Sequence, residues 1–251
     1  MKIRCALLVL ALALALNASS ALAGWVLEQE TAGQPITVYV QDNKVRSGDG
    51  EHGVIYDLNA GTVTMLNPGQ KQYWTGRPEE LTKQMNQAMD AQMEQMLKQA
   101  PPEQRQQMRQ MLMQQMGRGP QGPAEQVTIK ATGKTQDVAG YRAKQYLVSV
   151  NGQARQELWV AAVPGLSRDL DMTKLFKLLQ QMKMPGRQEW RSSPRVAAVM
   201  SGAYPLKMVD LGGGPGSVTV TKKIQKKSLP ADLFQPPKGW SKTDFKQMMQ
   251  R

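Results

Sequence analysis

From Trp25 to Trp74 apolar and polar residues alternate in runs of about five, the length and period of strands covered on one side by a core. ITVYV (Ile36 to Val40) is β-branched and aromatic, and the QDNK that follows supplies Asp and Asn, which tolerate turn geometry. KVRS leads to the turn GDGEHG, and VIYDL, NAG, TVTML, NPGQ and KQYW continue the strand–turn rhythm. Val54, Tyr56 and Leu58 alternate with Ile55 and Asp57, and Val63 and Met65 alternate with threonines. One face is therefore apolar and the other mixed, which predicts an antiparallel meander.

The period changes at Arg77. Pro78 suits a first helical turn, and Glu79 and Glu80 favour the positive end of the helix dipole. Met85, Met89, Met93 and Met96 fall on one face, with Leu81, Ala88 and Leu97 near it. Pro101 and Pro102 end this helix, and Pro102 opens a second whose apolar side is Met108, Met111, Leu112 and Met116. GRGPQGP then reads as a flexible linker. Residues 77–123 are thus predicted to form an inserted helical hairpin and linker. Strands resume at EQVTIKATG and run through QDVAGYRAKQYLVSV and ARQELWVAA, with Asn151-Gly152 as a hairpin turn. A third helix is predicted from Ser167 as N-cap through RDLDMTKLFKLLQQMKM, with Leu175, Leu178, Leu179 and Met182 on one face and Pro185-Gly186 as its stop. The chain closes with AAVMSGAYPLKMVDL, the loop GGGPG, SVTVTKKIQKKSL and a short terminal helix.

The N-terminus changes the compartment. Lys2 and Arg4 precede the apolar run ALLVLALALAL, and the small residues Ala21 and Ala23 set a cleavage site after Ala23. Residues 1–23 read as a secretory signal peptide, too short for the roughly 20 apolar residues of a membrane span. The mature chain, 24–251, then lacks the single cysteine, Cys5, and with it disulfides and thiolate chemistry. Cleavage removes two of the 32 basic residues and no acidic one, leaving a formal +10. In an exported protein that charge points away from nucleic acid and towards solubility or peripheral contact with a membrane surface or envelope polymer. Lys222, Lys223, Lys226 and Lys227 form the densest cluster and read as a solvated face.

No catalytic constellation is found. His52, the one histidine, stands in a turn with Glu51 beside it, and adjacent strand residues point apart. GGGPG lacks the phosphate-loop spacing, no G-x-S-x-G motif occurs, and Asp169 and Asp171 sit near a helix start, the ordinary place for acids. A non-enzymatic protein without a cofactor is expected.

The methionines leave two readings open. Eight of the 17 fall between residues 84 and 116. Thioethers are soft ligands that suit Cu(I), and Met85, Met89 and Met93 are one turn apart. Against this, Met111 and Met113 lie on different faces, and no histidine or cysteine joins them. Met is also a pliable apolar side chain, suited to surfaces that accept ligands of varied shape.

YVQDNKVRS, KQYW, GKTQDVAGYRAKQYLV, QELWVA, YPLKM and SLPADLFQPPKGW occur in this order across the chain. The set resembles an exported bacterial family, domain-of-unknown-function 4412, grouped with the LolA/LolB-like lipoprotein-carrier fold. The resemblance centres on AGYRAKQY, Trp159 in ELWVA and the closing LF-x-x-P-x-G-[YW]. It departs at Ala143, where the family often has Cys. It implies a strongly curved antiparallel sheet, an unclosed barrel wrapped around helices, whose concave side holds acyl chains in carriers of that fold.

The combined expectation is an α+β periplasmic protein: one β-rich domain over 24–251, with helices against a curved antiparallel sheet and a Met/Gln-rich hairpin inserted. Its expected role is binding a lipid, an acyl chain or a lipoprotein segment through Trp74, Met85, Met89, Met93, Trp159 and Leu175. The alternatives are a copper-binding envelope protein using Met85, Met89 and Met93, and an envelope structural or stress protein without a small ligand.

Overall fold

The computed structural model describes residues 22–48, 52–115, 125–182, 189–212 and 217–249. The expected signal peptide up to Ala21, Glu51, Met116 and its linker, Pro185-Gly186, and all but the first glycine of GGGPG lie outside these residues.

The described strands are β1 (Leu22–Thr31), β2 (Gln34–Gln41), β3 (Lys44–Gly48), β4 (Gly53–Asp57), β5 (Thr62–Asn67), β6 (Gln72–Gly76), β7 (Val127–Val138), β8 (Tyr141–Val150), β9 (Gln153–Ala161), β10 (Tyr204–Asp210), β11 (Val218–Leu229) and β12 (Ser241–Lys242). They form one 12-stranded sheet in the order β12-β6-β5-β4-β3-β2-β1-β11-β10-β9-β8-β7. Every pairing is antiparallel except β12 with β6. The sheet does not close, and two meanders meet where β1 pairs β11.

Turn chemistry explains the meanders. Asp42-Asn43 and Asn151-Gly152 have φ values of 47° and 56°, and 51° and 79°, the left-handed pair that matches strand twist in a two-residue hairpin. Ala139-Gly140 does the same with φ of 52° and 83°, although alanine there carries a steric cost. Register shifts at Glu28/Gln29, Ala131/Thr135, Val148/Ser149 and Pro205/Lys207 add local bends. One face of the sheet carries Trp25, Leu27, Val38, Val40, Val45 and Trp74 and, on the far half, Val148, Leu158 and Leu206, all buried.

The described helices are α1 (Pro78–Gln99), α2 (Arg105–Gln115), α3 (Leu166–Asp169), α4 (Met172–Gln181), α5 (Pro194–Val199) and α6 (Phe245–Met249). The hairpin α1–α2 forms as expected, with Pro78 in the first turn and the Arg77 amide donating to Glu80 Oε2 at 3.1 Å. The predicted third helix is corrected in two places. It breaks at Leu170, and Asp171 rather than Ser167 caps the main segment, accepting from the amides of Thr173 and Lys174 at 2.9 and 3.1 Å. The break has a long-range cause. Asn43, in the β2–β3 turn, donates its amide to Asp169 O and accepts the Asp171 amide on Oδ1, both at 2.8 Å. Helix α5, capped by Ser193 and opened by Pro194, lies in a stretch read from sequence without a helix.

The C-terminal segment ties the layers together. Arg46 Nη1 donates to Leu233 O at 2.9 Å, β12 adds to the edge of β6, and Gln84 Oε1 of α1 accepts the Phe245 amide at 3.0 Å. The Phe245 ring meets Trp74 edge-on, with centroids 6.3 Å apart.

Candidate functional site

The expected ligand hollow lies over the apolar face of the sheet. Met172, Phe176 and Leu178 of α4, Met182, Trp190, Val196 of α5, Met200 and Met248 are buried in one continuous core with the strands. The chain's own helices therefore fill most of the space that a bent sheet would leave for a ligand. A small cavity of about 20 Å³ remains, bounded by Val163, Leu166, Leu170, Met172, Ala203 and Tyr204 among others. That is room for about one water molecule. A wider, open recess of about 420 Å³ lies at Gln34, Pro35, Ile36, Gly48, His52 and Gly53, by the β3–β4 turn.

The six expected residues separate into three places. Trp74, Met85 and Leu175 belong to the main core where α1 touches both α4 and α6, and Trp159 belongs to the same core on the far half of the sheet. Met89 and Met93 lie further along α1, outside that core. Met93 is buried, as are Leu97 and Ala100 further along, and none of the three is part of that core. Arg109 Nη2 reaches Glu94 Oε1 at 2.7 Å and ties α2 to α1, and Met108 and Leu112 of α2 are partly buried. Trp159 is on the other half of the sheet and, in strand alternation, points away from Leu158 and Val160. Met85 thus packs against the main core, and Met93 does not belong to it. Among the described residues, no group of three or more His, Cys, Asp or Glu side chains is placed to hold a metal.

Trp159 shows how its face is covered. Its strand neighbours in register are Gln145 and Lys207, and the Lys207 ammonium lies 5.4 Å from the indole centroid. Lys207 Nζ also reaches Gln136 Oε1 of β7 at 3.3 Å, and β7 touches β11, four strands away in the sheet order. The β7–β8 hairpin tip therefore curls over this face and buries Val138, Ala143 and Trp159. Beneath it the Trp159 indole N–H is buried without a hydrogen-bond partner.

Sequence reasoning missed the polar groups within the fold. Gln29 Nε2 donates to Thr221 Oγ1 at 3.1 Å and to the Tyr204 hydroxyl at 3.4 Å. Burial pushes the Tyr204 phenol up to about 12, with the Gln29 hydrogen bond opposing. Asp210 forms an ion pair with Arg191, whose guanidinium stacks 4.6 Å from the Trp190 ring centroid. The Gly212 amide holds the Asp210 carboxyl below its ordinary range; burial opposes it, and the Arg191 and Arg155 guanidinium groups add to the lowering. Tyr204 and the Asp210–Arg191 pair carry no local sequence signal, because Gln29 and Arg191 come from distant segments. The basic stretch of β11 is partly matched. Lys222 pairs with Glu30 at 3.5 Å, and Lys226 Nζ lies 5.6 Å from the Trp25 ring centroid. His52 is exposed. Among the described residues no helix is long and apolar enough to cross a membrane.

The profile described as "Domain of unknown function (DUF4412)" matches residues 60–240. The chain belongs to the DUF4412 family. The match runs from the β4–β5 turn to Trp240, so it takes in the α1–α2 hairpin and leaves YVQDNKVRS ahead of it. No curated protein matches the sequence. Two solved structures of PNGF-II, in space groups C2 and P21, are each 12% identical over 90% and 91% of this chain, with TM-scores of 0.39 and 0.38. The chain spans about a third of their length, 32% and 33%.

Proposed function

We propose that this DUF4412 protein is an exported, non-enzymatic binding protein of the cell envelope. Its ligand is a lipid, an acyl chain or a lipoprotein segment, taken between the sheet and the helices as in a LolA-like carrier. The observation that carries the reading is the make-up of that interface. Met172, Met182, Met200 and Met248 are buried in it, and Met65, Met85 and Met208 pack against it. Unbranched thioether side chains repack more readily than branched ones, so such an interface can part around a ligand of variable shape. A ligand would part the interface first at the small cavity beside Met172 and Ala203. The helices now fill the space, so ligand entry requires α3 and α4 to shift from the sheet. Binding of this kind selects a minor, opened state and is weakened by that state's scarcity.

The test is titration of a fluorescent fatty acid into the purified mature protein. Saturable one-to-one binding is expected, weakened at least tenfold in Ala203→Phe, which overfills the cavity. No saturable binding to the unaltered protein would overturn the reading.

A further inference from the structure

The two ends of the hairpin treat their methionines differently. Met111 of α2 is 61% exposed, Met96 of α1 37% and Met113 of α2 36%, whereas Met93 is only 7% exposed. The buried methionines of the main core, Met172, Met182, Met200 and Met248, are all at 9% or below. Thioether sulfur is a two-electron nucleophile whose oxidation depends on access, and its sulfoxide is polar. The outer part of the hairpin is held by Met93, Leu97 and Ala100, apart from the main core, together with the exposed Arg109–Glu94 pair and the bond from Arg105 Nε to Ala100 O. A small apolar contact of this kind opens more easily than the core.

We propose that the α1–α2 hairpin is a site of reversible methionine oxidation by a hydroperoxide, in which Met111, Met96 and Met113 react first and oxidation of Met93 and Met108 releases α2. In each step the sulfur lone pair bonds to one peroxide oxygen and the O–O bond breaks. The proton of the transferred hydroxyl passes to the departing oxygen, so sulfur is oxidised by two electrons and the peroxide is reduced to water or an alcohol. At the three exposed positions the new S=O faces water and the helices stay packed. At Met93 the same group lies inside an apolar contact, where an unpaired polar oxygen is unfavourable, and the helices separate. Methionine sulfoxide reductases reverse the change, each acting on one sulfoxide epimer. The reading explains why methionine stands where leucine would pack as well, and it is independent of any ligand.

The experiment is a hydrogen peroxide time course on the folded full chain, with each methionine followed by peptide mass spectrometry and trypsin cleavage after Arg105 and Arg109 measured at each point. Met111 is expected to oxidise first and Met96 and Met113 next, with Met172, Met182, Met200 and Met248 still reduced. Cleavage is expected to accelerate roughly tenfold only once Met93 and Met108 are oxidised, because cleavage tracks the opened population. Sulfoxide reductases should restore resistance. A Met93→Leu/Met108→Leu variant should stay resistant after Met111 is oxidised. Even oxidation across the chain would overturn the proposal, and so would unchanged trypsin resistance after complete oxidation of the hairpin.

Discussion

Leu81 and Leu97 stand on the same helix four turns and a fraction apart, and truncating them should have opposite consequences. Leu81 is fully buried in the main core, beside the buried Pro78 that opens α1. Leu97 is buried as well, near the far end of α1 and outside the main core. Leu→Ala in a packed core costs about 2–5 kcal/mol, and a site held rigid by a helix start relaxes little, which favours about 3–4. For a chain of this size each kcal/mol moves Tm by about 2–4 °C, so Leu81→Ala should lower Tm by roughly 6–16 °C. Leu97→Ala has a similar local cost, but the hairpin can open while the sheet stays folded, so Tm should fall by less than about 2 °C. Tryptophan fluorescence is a suitable probe, because Trp25, Trp74, Trp159 and Trp190 all lie in the main core and none in the hairpin. Hydrogen exchange supplies the complement: α2 amides should lose about a hundredfold protection in Leu97→Ala and little in Leu81→Ala. Equal losses of Tm in the two variants would refute the division of α1 between the main core and a part outside it.

Three further outcomes follow from named groups. Ala139 has φ of 52°, so Ala139→Gly or Ala139→Asn should stabilise by about 0.5–1 kcal/mol, read as a higher urea midpoint at unchanged slope. The Asp210 carboxyl is held low when folded, so it stabilises above its unfolded value and that contribution is lost as pH falls below about 4 and through the folded value; Asp210→Asn should flatten the acid limb of a Tm–pH curve. Trp159 and Trp74 are 8% and 3% exposed, yet Trp159→Phe should cost about 1 kcal/mol less than Trp74→Phe in denaturant melts, because it also removes a buried unpaired N–H.

The meanders were legible because each turn announces itself locally. Asn151-Gly152 and Asp42-Asn43 are residues that accept left-handed backbone, and both turn where expected. The hairpin was legible from Pro78, Pro101 and Pro102, since proline constrains the helix around it whatever the fold. What escaped depends on distant partners. β1 carries the polar run Glu28 to Glu30, and its pairing with β11 bridges almost the whole chain. The break before Asp171 is imposed by Asn43, and periodicity from Ser167 onward gives no sign of it. Ser193-Pro194 is a helix-start signal, but only six residues of helix follow, too few for a periodic pattern. The six candidate residues are all large and apolar. Spacing along α1 could not reveal that Met85 joins the core while Met93 serves the hairpin. Nor could it reveal that Trp159 lies under a strand tip on the opposite face.

Native mass spectrometry of the protein taken directly from an envelope fraction, without detergent exchange, tests the proposed binding function most directly. The account predicts a mass shifted by one lipid, lost on delipidation and regained when acyl chains are added back. A single unliganded mass, before and after exposure to excess lipid, would contradict it.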